Sequence, residues 1–447
     1  MKLTIKKVAA YAIFYWATAL FATQAGAALP IQRTQLASGA QVYVVSSMAI
    51  PMVDVQIEFD AGGRRDPAGL AGLASVTSGH FSKGVLASGG KAALDENQLG
   101  EAWADLGASF GASAGDDRMS FSLRSLTYPD LLGKAVALAA QQLAAPAFPA
   151  ALWLRDAERI SASIKEANTK PATIANRRFN SAVYGSHPYG NELTEESLRR
   201  ITVPAMQNFY TSHVRACRAK ISIVGAVSLA DAAQIATQFL AGLPQTGCDA
   251  LPTVTEVQPL AAAQNINVPF DSAQAHVMIG QSGYKRSDPD FFALLLGNHI
   301  LGGGGFTSLL TQEVREKRGL SYSVYSYFSP GLHAGAFAIG LQTRPDQAVQ
   351  AVQVSKDVLT RFVKDGPSKQ ELQAAKDNLI GGFALRIDSN RKLLDNVANI
   401  AWVNLPLDYL DNWTQRIDKI STTDIQAALQ RKLQPEKMVT VVVGGAP

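Results

Sequence analysis

Histidine is scarce in this 447-residue chain. The six present, His80, His187, His213, His276, His299 and His333, include no two spaced three or four positions apart. That excludes a metal site built from paired histidines on one helical face. Cysteine is scarcer still. Cys217 and Cys248 are too few and too far apart for a metal cluster of their own. In an exported chain such a pair closes a disulfide or remains as two buried thiols, and the sequence leaves both open. Lysine is missing from the glycine-rich run Gly302 to Ser308, which excludes a phosphate-binding P-loop. No Gly-x-Ser-x-Gly elbow stands at a strand-to-helix turn, so that route to a serine nucleophile is closed. After residue 27 no stretch reaches about 18 consecutive apolar residues, and the mature chain is expected to be soluble.

The N-terminus is the exception. Lys2, Lys6 and Lys7 precede the apolar run Val8 to Ala22, and Ala25-Gly26-Ala27 offers the small residues a signal peptidase needs. Residues 1–27 are expected to be a secretory signal cut after Ala27, rather than an uncleaved anchor, which sends the protein to the periplasm. The formal net charge of +4 falls to about +1 without those three lysines, and implies no nucleic-acid or membrane-surface partner. The rest has an ordinary globular composition, 47% hydrophobic and 17% charged. Its length suits two to four domains of about 150 residues each.

What the chain does contain is a repeat. Gln41 to Val45 and Met52 to Phe59 read as strands, the second with clear alternation. Gly62 to Pro67 breaks the pattern, and a helix of small and apolar residues is expected over Ala68 to Lys83. The same order returns with the strand His276 to Gly280, the break Gly283 to Pro289 and a helix from Phe291 to Leu301. Phe121 to Arg124 with its turn at Pro129-Asp130 matches Ile339 to Gln342 with Pro345-Asp346. Ile221 to Gly225 matches Val439 to Gly444. The offsets are about 222, 216 and 219 residues, close enough to mark a duplication. The predicted fold is α+β, two duplicated domains that each pack helices on a mostly antiparallel sheet. The first spans 28–247 and the second 270–447, joined by a proline-bearing linker over 248–269.

Arg315-Glu316-Lys317-Arg318-Gly319-Leu320-Ser321-Tyr322 follows the glycine run Gly302 to Gly305 and leads into the β-prone Ser323 to Phe328. It reads as a helix end rich in basic residues, a glycine stop and a strand from Leu320. A guanidinium fork and a phenol at such a junction can both hydrogen-bond a peptide backbone. A surface arginine beside a core tyrosine fits the same spacing.

Together with His187-Pro188-Tyr189-Gly190 and Phe209-Tyr210 ahead of a Val-Gly strand end, these features resemble the insulinase, pitrilysin and mitochondrial processing peptidase family. The resemblance is to its two-domain branch of bacterial envelopes and covers essentially all of the mature chain. It implies a clamshell of two domains facing each other across a chamber. Active members carry the inverted zinc motif His-x-x-Glu-His on the first helix after the N-terminal strands, where the histidines bind the metal and the glutamate activates a water. Here Gly72 and Val76 fall at the histidine positions and Ser75 at the glutamate position. A further glutamate ligand corresponds to Ser163, Lys165 or Glu166. The resemblance thus implies no metal on this chain. His80, alone on the same helix, reads as a solvated or capping histidine.

Arg315 and Tyr322 fall where the family's C-terminal domain carries its substrate-binding arginine and tyrosine, which in relatives hydrogen-bond carbonyl groups near the scissile bond. The function so implied is that of a non-catalytic, substrate-binding subunit of a periplasmic heterodimeric zinc metallopeptidase. A homologous catalytic partner would supply the intact motif and its zinc, with a peptide as substrate. The alternative is a peptide-binding or scaffold protein of the same fold with no protease partner. A rebuilt metal site ranks last, since no ligand cluster can be assembled.

Overall fold

Alternation in Met52–Phe59 sets Val53, Val55, Ile57 and Phe59 on one face of a strand. That strand lies inside a six-stranded sheet. Its members are β1 (Gln32–Gln35), β2 (Gln41–Ser46), β3 (Met52–Phe59), β4 (Ser109–Ala114), β5 (Met119–Leu126) and β6 (Lys220–Gly225). They are ordered β1-β2-β6-β3-β5-β4, with β2 and β6 parallel and every other pairing antiparallel. The computed structural model describes residues 30–444, so the leader expected at 1–27 lies outside the described residues.

The second sheet holds β7 (Gln264–Val268), β8 (Ala275–Ser282), β9 (Val324–Phe328), β10 (Ala336–Thr343) and β11 (Val439–Val443), in the order β9-β10-β8-β11-β7. Again one edge pair is parallel, β7 with β11, and the rest are antiparallel. Without β1 the two sheets have one order and one sense, and the sequence repeat is a repeat of topology. Helices follow in matching places: Pro129–Ala144 with Ala348–Asp365, Ala150–Ala167 with Lys369–Gly381, and Pro171–Tyr184 with Asn390–Trp402.

The third helix of each half crosses over. Pro171–Tyr184 lays Ala175, Phe179 and Val183 on the second sheet, against Met278, Ala336, Ala338, Val439, Val441 and Val443. Asn390–Trp402 lies across β3 and β6 of the first sheet. There Lys220 donates to the last carbonyls of that helix, Ala401 at 2.8 Å and Trp402 at 3.1 Å, and to Asn404 Oδ1 at 2.9 Å. A cation at a helix C-terminus also meets the negative end of the helix dipole.

This crossing buries what alternation alone marks as a solvent face. Asp54, Gln56 and Glu58 of β3 are buried. Most of their polar atoms are met locally: Arg124 pairs with Asp54 at 2.7 Å, Arg118 with Glu58 Oε1 at 2.7 Å, and Gln56 donates to the same oxygen at 2.7 Å, while Glu58 Oε2 has no hydrogen-bond partner among the described residues. Burial outweighs the pull of Arg118 and Lys220 and raises the Glu58 carboxyl to about 7.

Three element boundaries differ from expectation. The helix expected over Ala68 to Lys83 is confined to Leu73–His80, because Gly69 and Gly72 hold left-handed φ of 79° and 92° and delay the first turn. The strand expected from Leu320 begins at Val324, since Ser321 Oγ donates to Ser323 O and Gln342 O and holds that stretch as a loop. Gln264–Val268, within the stretch read as linker, is the edge strand β7; its alternating Gln-Asn-Ile-Asn-Val is half exposed and lacks a core strand's apolar run. Cys217 and Cys248 form a disulfide, with Cα atoms 6.1 Å apart. It ties the start of the interdomain stretch to the N-terminal half.

Candidate functional site

Leu301 to Tyr322 folds as a series of tight, irregular turns. The helix Phe291–Asn298 runs into a π-helical turn, His299–Gly303, and a second π-helical turn spans Thr311–Glu316. Such turns displace side chains from regular helical register and recur at functional sites. Gly302 has to be glycine: a Cβ there would stand 2.5 Å from both the amide and the hydroxyl of Ser326. Gly319 takes φ 61° and ends the turn, with its N–H donating to Arg315 O at 2.8 Å.

The basic run is sorted by one acid. Glu313 pairs with Lys317 at 2.6 Å and with Arg318 at 2.7 Å, and these cations hold its carboxyl below the usual range. Arg315 is left over: among the described residues it makes no ion pair. Its guanidinium lies between two rings instead, 5.0 Å from the Phe306 centroid and 4.9 Å from that of Tyr322. Those rings are 70% and 82% exposed, far more than packing requires. Gly302, Gly303, Phe306, Arg315, Tyr322 and Ser326 line a cavity of about 340 Å³. The structure thus brings both expected residues, Arg315 and Tyr322, to one cavity mouth. It adds Phe306, which the sequence reading passed over although an aromatic directly after a glycine run was the available signal. The cavity opens beside β9, an edge strand paired only with β10 among the described strands. An uncompensated guanidinium fork and a phenol can hold the carbonyls of an extended chain, while the outer edge of β9 is covered at its centre, where Ser326 O accepts from Asn298 Nδ2 at 3.2 Å.

The positions matched to the zinc motif do not fit a metal. Gly72 caps Leu73–His80 in the left-handed conformation, and its N–H and that of Ala74 donate to Asp66 at 2.7 and 2.8 Å. A Cβ at Gly72 would lie 2.5 Å from Leu193 Cδ1, 2.7 Å from its Cβ and 3.0 Å from its Cγ. Leu193 therefore fills the space a side chain would enter. Ser75 faces solvent and Val76 is buried in the core. Ser163, Lys165 and Glu166 are exposed on Ala150–Ala167, where Lys165 pairs with Glu195 at 3.6 Å and Glu166 with Lys170 at 2.6 Å. Among the described residues no three histidine, cysteine or acidic side chains are grouped to hold a metal.

His80 corrects the expectation of a solvated or capping residue. It is buried beside Trp153 and Phe148, at ring distances of 5.9 and 6.3 Å, with Nδ1 3.5 Å from Asp156. Burial lowers its pKa. The strings Gly107–Gly111 and Gly111–Gly115 fit Gly-x-Ser-x-Gly by letter, yet they run along the edge strand β4 into a hairpin and form no elbow.

His187 to Gly190 joins the halves. Tyr189 donates to Asp117 at 2.6 Å and accepts from His333 N at 3.2 Å, while Asp117 also accepts from Leu332 N at 2.9 Å. The His187 and His333 rings meet at 4.9 Å, a pairing no sequence spacing shows. The segment is a junction between halves.

Comparison with known proteins agrees with this architecture. A family model described as Insulinase (Peptidase family M16) matches residues 42–197, and one described as Peptidase M16 inactive domain matches residues 200–379. A crystal structure described as a peptidase M16 inactive domain from Pseudomonas fluorescens superposes with a TM-score of 0.86 at 33% identity, covering 94% of this chain and 98% of that one. An uncharacterized zinc protease of Streptomyces coelicolor is 25% identical over 283 residues, 61% of this chain and 60% of that protein's length. The periplasmic protease PqqL of Escherichia coli shares the fold, with a TM-score of 0.79 at 16% identity over 94% of this chain and 46% of its own.

Proposed function

The chain belongs to the insulinase family of peptidases, family M16, and from that we propose that it is a substrate-holding subunit with no metal centre of its own. One observation carries the reading. The cation left over from the 315–318 run stands with Tyr322 over a cavity beside the edge strand β9, while the position of the first metal ligand is closed by Leu193. A peptide lies extended along β9, and Arg315 and Tyr322 hydrogen-bond its carbonyls and fix its register. A homologous chain with an intact His-x-x-Glu-His motif supplies the metal and the chemistry. That the fold covers about half of PqqL, leaving room for a second such unit there, supports pairing of two units. The disulfide Cys217–Cys248 favours an oxidising compartment, in keeping with a leader at 1–27 and a periplasmic location.

The test is zinc content and peptide hydrolysis of the mature protein, alone and mixed with a homologous chain bearing the motif. The reading requires neither zinc nor activity alone and activity on mixing. Arg315→Ala with Tyr322→Phe should lower turnover of the mixture at least about tenfold without dissociating it. Stoichiometric zinc with hydrolysis by this chain alone would overturn the reading, and silence in both samples would leave a peptide-holding scaffold.

A further inference from the structure

A second cavity, of about 410 Å³, opens between the two halves at the far end of β9. Tyr284, Phe291, Phe328 and Trp402 wall it, and the Tyr284 ring lies 4.9 Å from Phe328 and 6.3 Å from Phe291. Two guanidinium groups enter this aromatic space. Arg118 is committed, paired with Glu58 at 2.7 Å and donating to Asn399 at 2.7 Å. Arg286 is not. It stacks 3.7 Å above the Phe291 ring and donates once, to the Tyr409 hydroxyl at 2.8 Å, and among the described residues no carboxylate lies within ion-pair distance of it. Asp117 at the rim is already satisfied by Arg64 at 3.1 Å, by Tyr189 and by Leu332 N. The cavity therefore combines apolar walls with one uncompensated cation. Stacking leaves the edge of the guanidinium open for a bidentate acceptor.

The two cavities are neighbours. Asn298 lines this one and Ser326 lines the one at Arg315, and the pair exchange hydrogen bonds, Ser326 Oγ to Asn298 Oδ1 at 2.8 Å and Asn298 Nδ2 to Ser326 O at 3.2 Å. The strand between them, Val324–Phe328, spans about 15 Å, the length of four to five extended residues.

We infer that the cavity around Arg286 is the anchoring subsite for the C-terminal residue of a bound peptide, with an aromatic or large aliphatic side chain against Phe291, Phe328 and Trp402 and its free α-carboxylate on Arg286. A glutamate or aspartate side chain brings the anion without apolar bulk to fill the walls, whereas a C-terminal residue brings both. The inference rests on the reading that peptides lie along β9.

Calorimetry on the mature protein with an acetylated hexapeptide ending in phenylalanine, as free acid and as amide, tests it. The acid should bind at least tenfold tighter, about 1.4 kcal/mol. Arg286→Gln should abolish that preference. Leu295→Phe, which fills the cavity while leaving Arg286 in place, should bring the acid down to the amide's affinity, guarding against a misfolded Arg286 variant. Equal affinities in the unaltered protein, an acid preference that survives Arg286→Gln, or no binding of either peptide would each overturn the subsite. Arg315→Ala separates the two ideas. It should weaken acid and amide alike and keep their ratio. Should it change neither affinity while the Arg286-dependent preference stands, the subsite holds and the placement of peptide over Arg315 fails.

Discussion

Introducing even a methyl group at Gly72 should destabilise this protein by several kcal/mol. Two separate terms add. Gly72 sits at φ 92°, and an L-residue there costs about 1–2 kcal/mol. The new Cβ would also lie 2.5 Å from Leu193 Cδ1 and 2.7 Å from Leu193 Cβ. Rotating the leucine can move its Cδ1 but not its Cβ, so the backbone must shift, an overpacking cost of about 1–3 kcal/mol. Gly72→Ala should therefore lose about 2–5 kcal/mol in urea unfolding. Leu193→Gly in the same chain, which removes the Cβ that meets the new methyl, should return the steric part and leave the backbone part, seen as a coupling of about 1–3 kcal/mol in a double-mutant cycle. The same strain bears on attempts to rebuild the motif: Gly72→His with Ser75→Glu and Val76→His should yield a less stable protein that retains no zinc on dialysis. A Gly72→Ala variant within about 0.5 kcal/mol of the parent, or a triple variant holding one zinc per chain, would refute the argument.

Other outcomes follow from the same geometry. Replacing Cys217 and Cys248 with serine opens a cross-link of sequence separation 31 and should lower unfolding stability by about 2–4 kcal/mol, read as a lower urea midpoint that reductant reproduces in the parent. Glu58, raised from 4.5 to about 7 by burial, is more readily neutral when folded than unfolded. Its contribution to stability is complete below pH 4.5 and is lost as pH rises through about 7, a fall of about 3 kcal/mol. Glu58→Gln should flatten stability against pH over that window, and an unchanged slope would rule the assignment out.

The repeat was legible because β3 and β8, and then β6 and β11, carry the same apolar pattern at nearly constant offset, and periodicity survives without any single residue surviving. Arg315 and Tyr322 were legible as a pair because the glycine run and the glycine stop frame them. The burial of Asp54, Gln56 and Glu58 was not. Their alternation with valine and isoleucine describes a strand with one wet face, and only the helix Asn390–Trp402, more than 330 residues away along the chain, makes that face dry. Leu193 was hidden for the same reason. A missing histidine can be read from letters, but that its place is filled depends on a leucine brought in from a distant loop. The cavity at Arg286 likewise draws on Asp117 and Arg118 from one half and Trp402 from the other, and no local pattern announces it.

The crossed helices have a consequence for how the chain is made. Pro171–Tyr184 packs against β11, more than 250 residues further along the chain, and the polar face of β3 stays uncovered until Trp402 has been synthesised. The apolar core of the first half is built from its own residues, Ala40 to Leu243, but the polar face of β3 and the apolar face of Pro171–Tyr184 are covered only by the second half. A first half separated from the second would therefore keep its apolar core and expose two faces that the whole chain hides, one polar and one apolar.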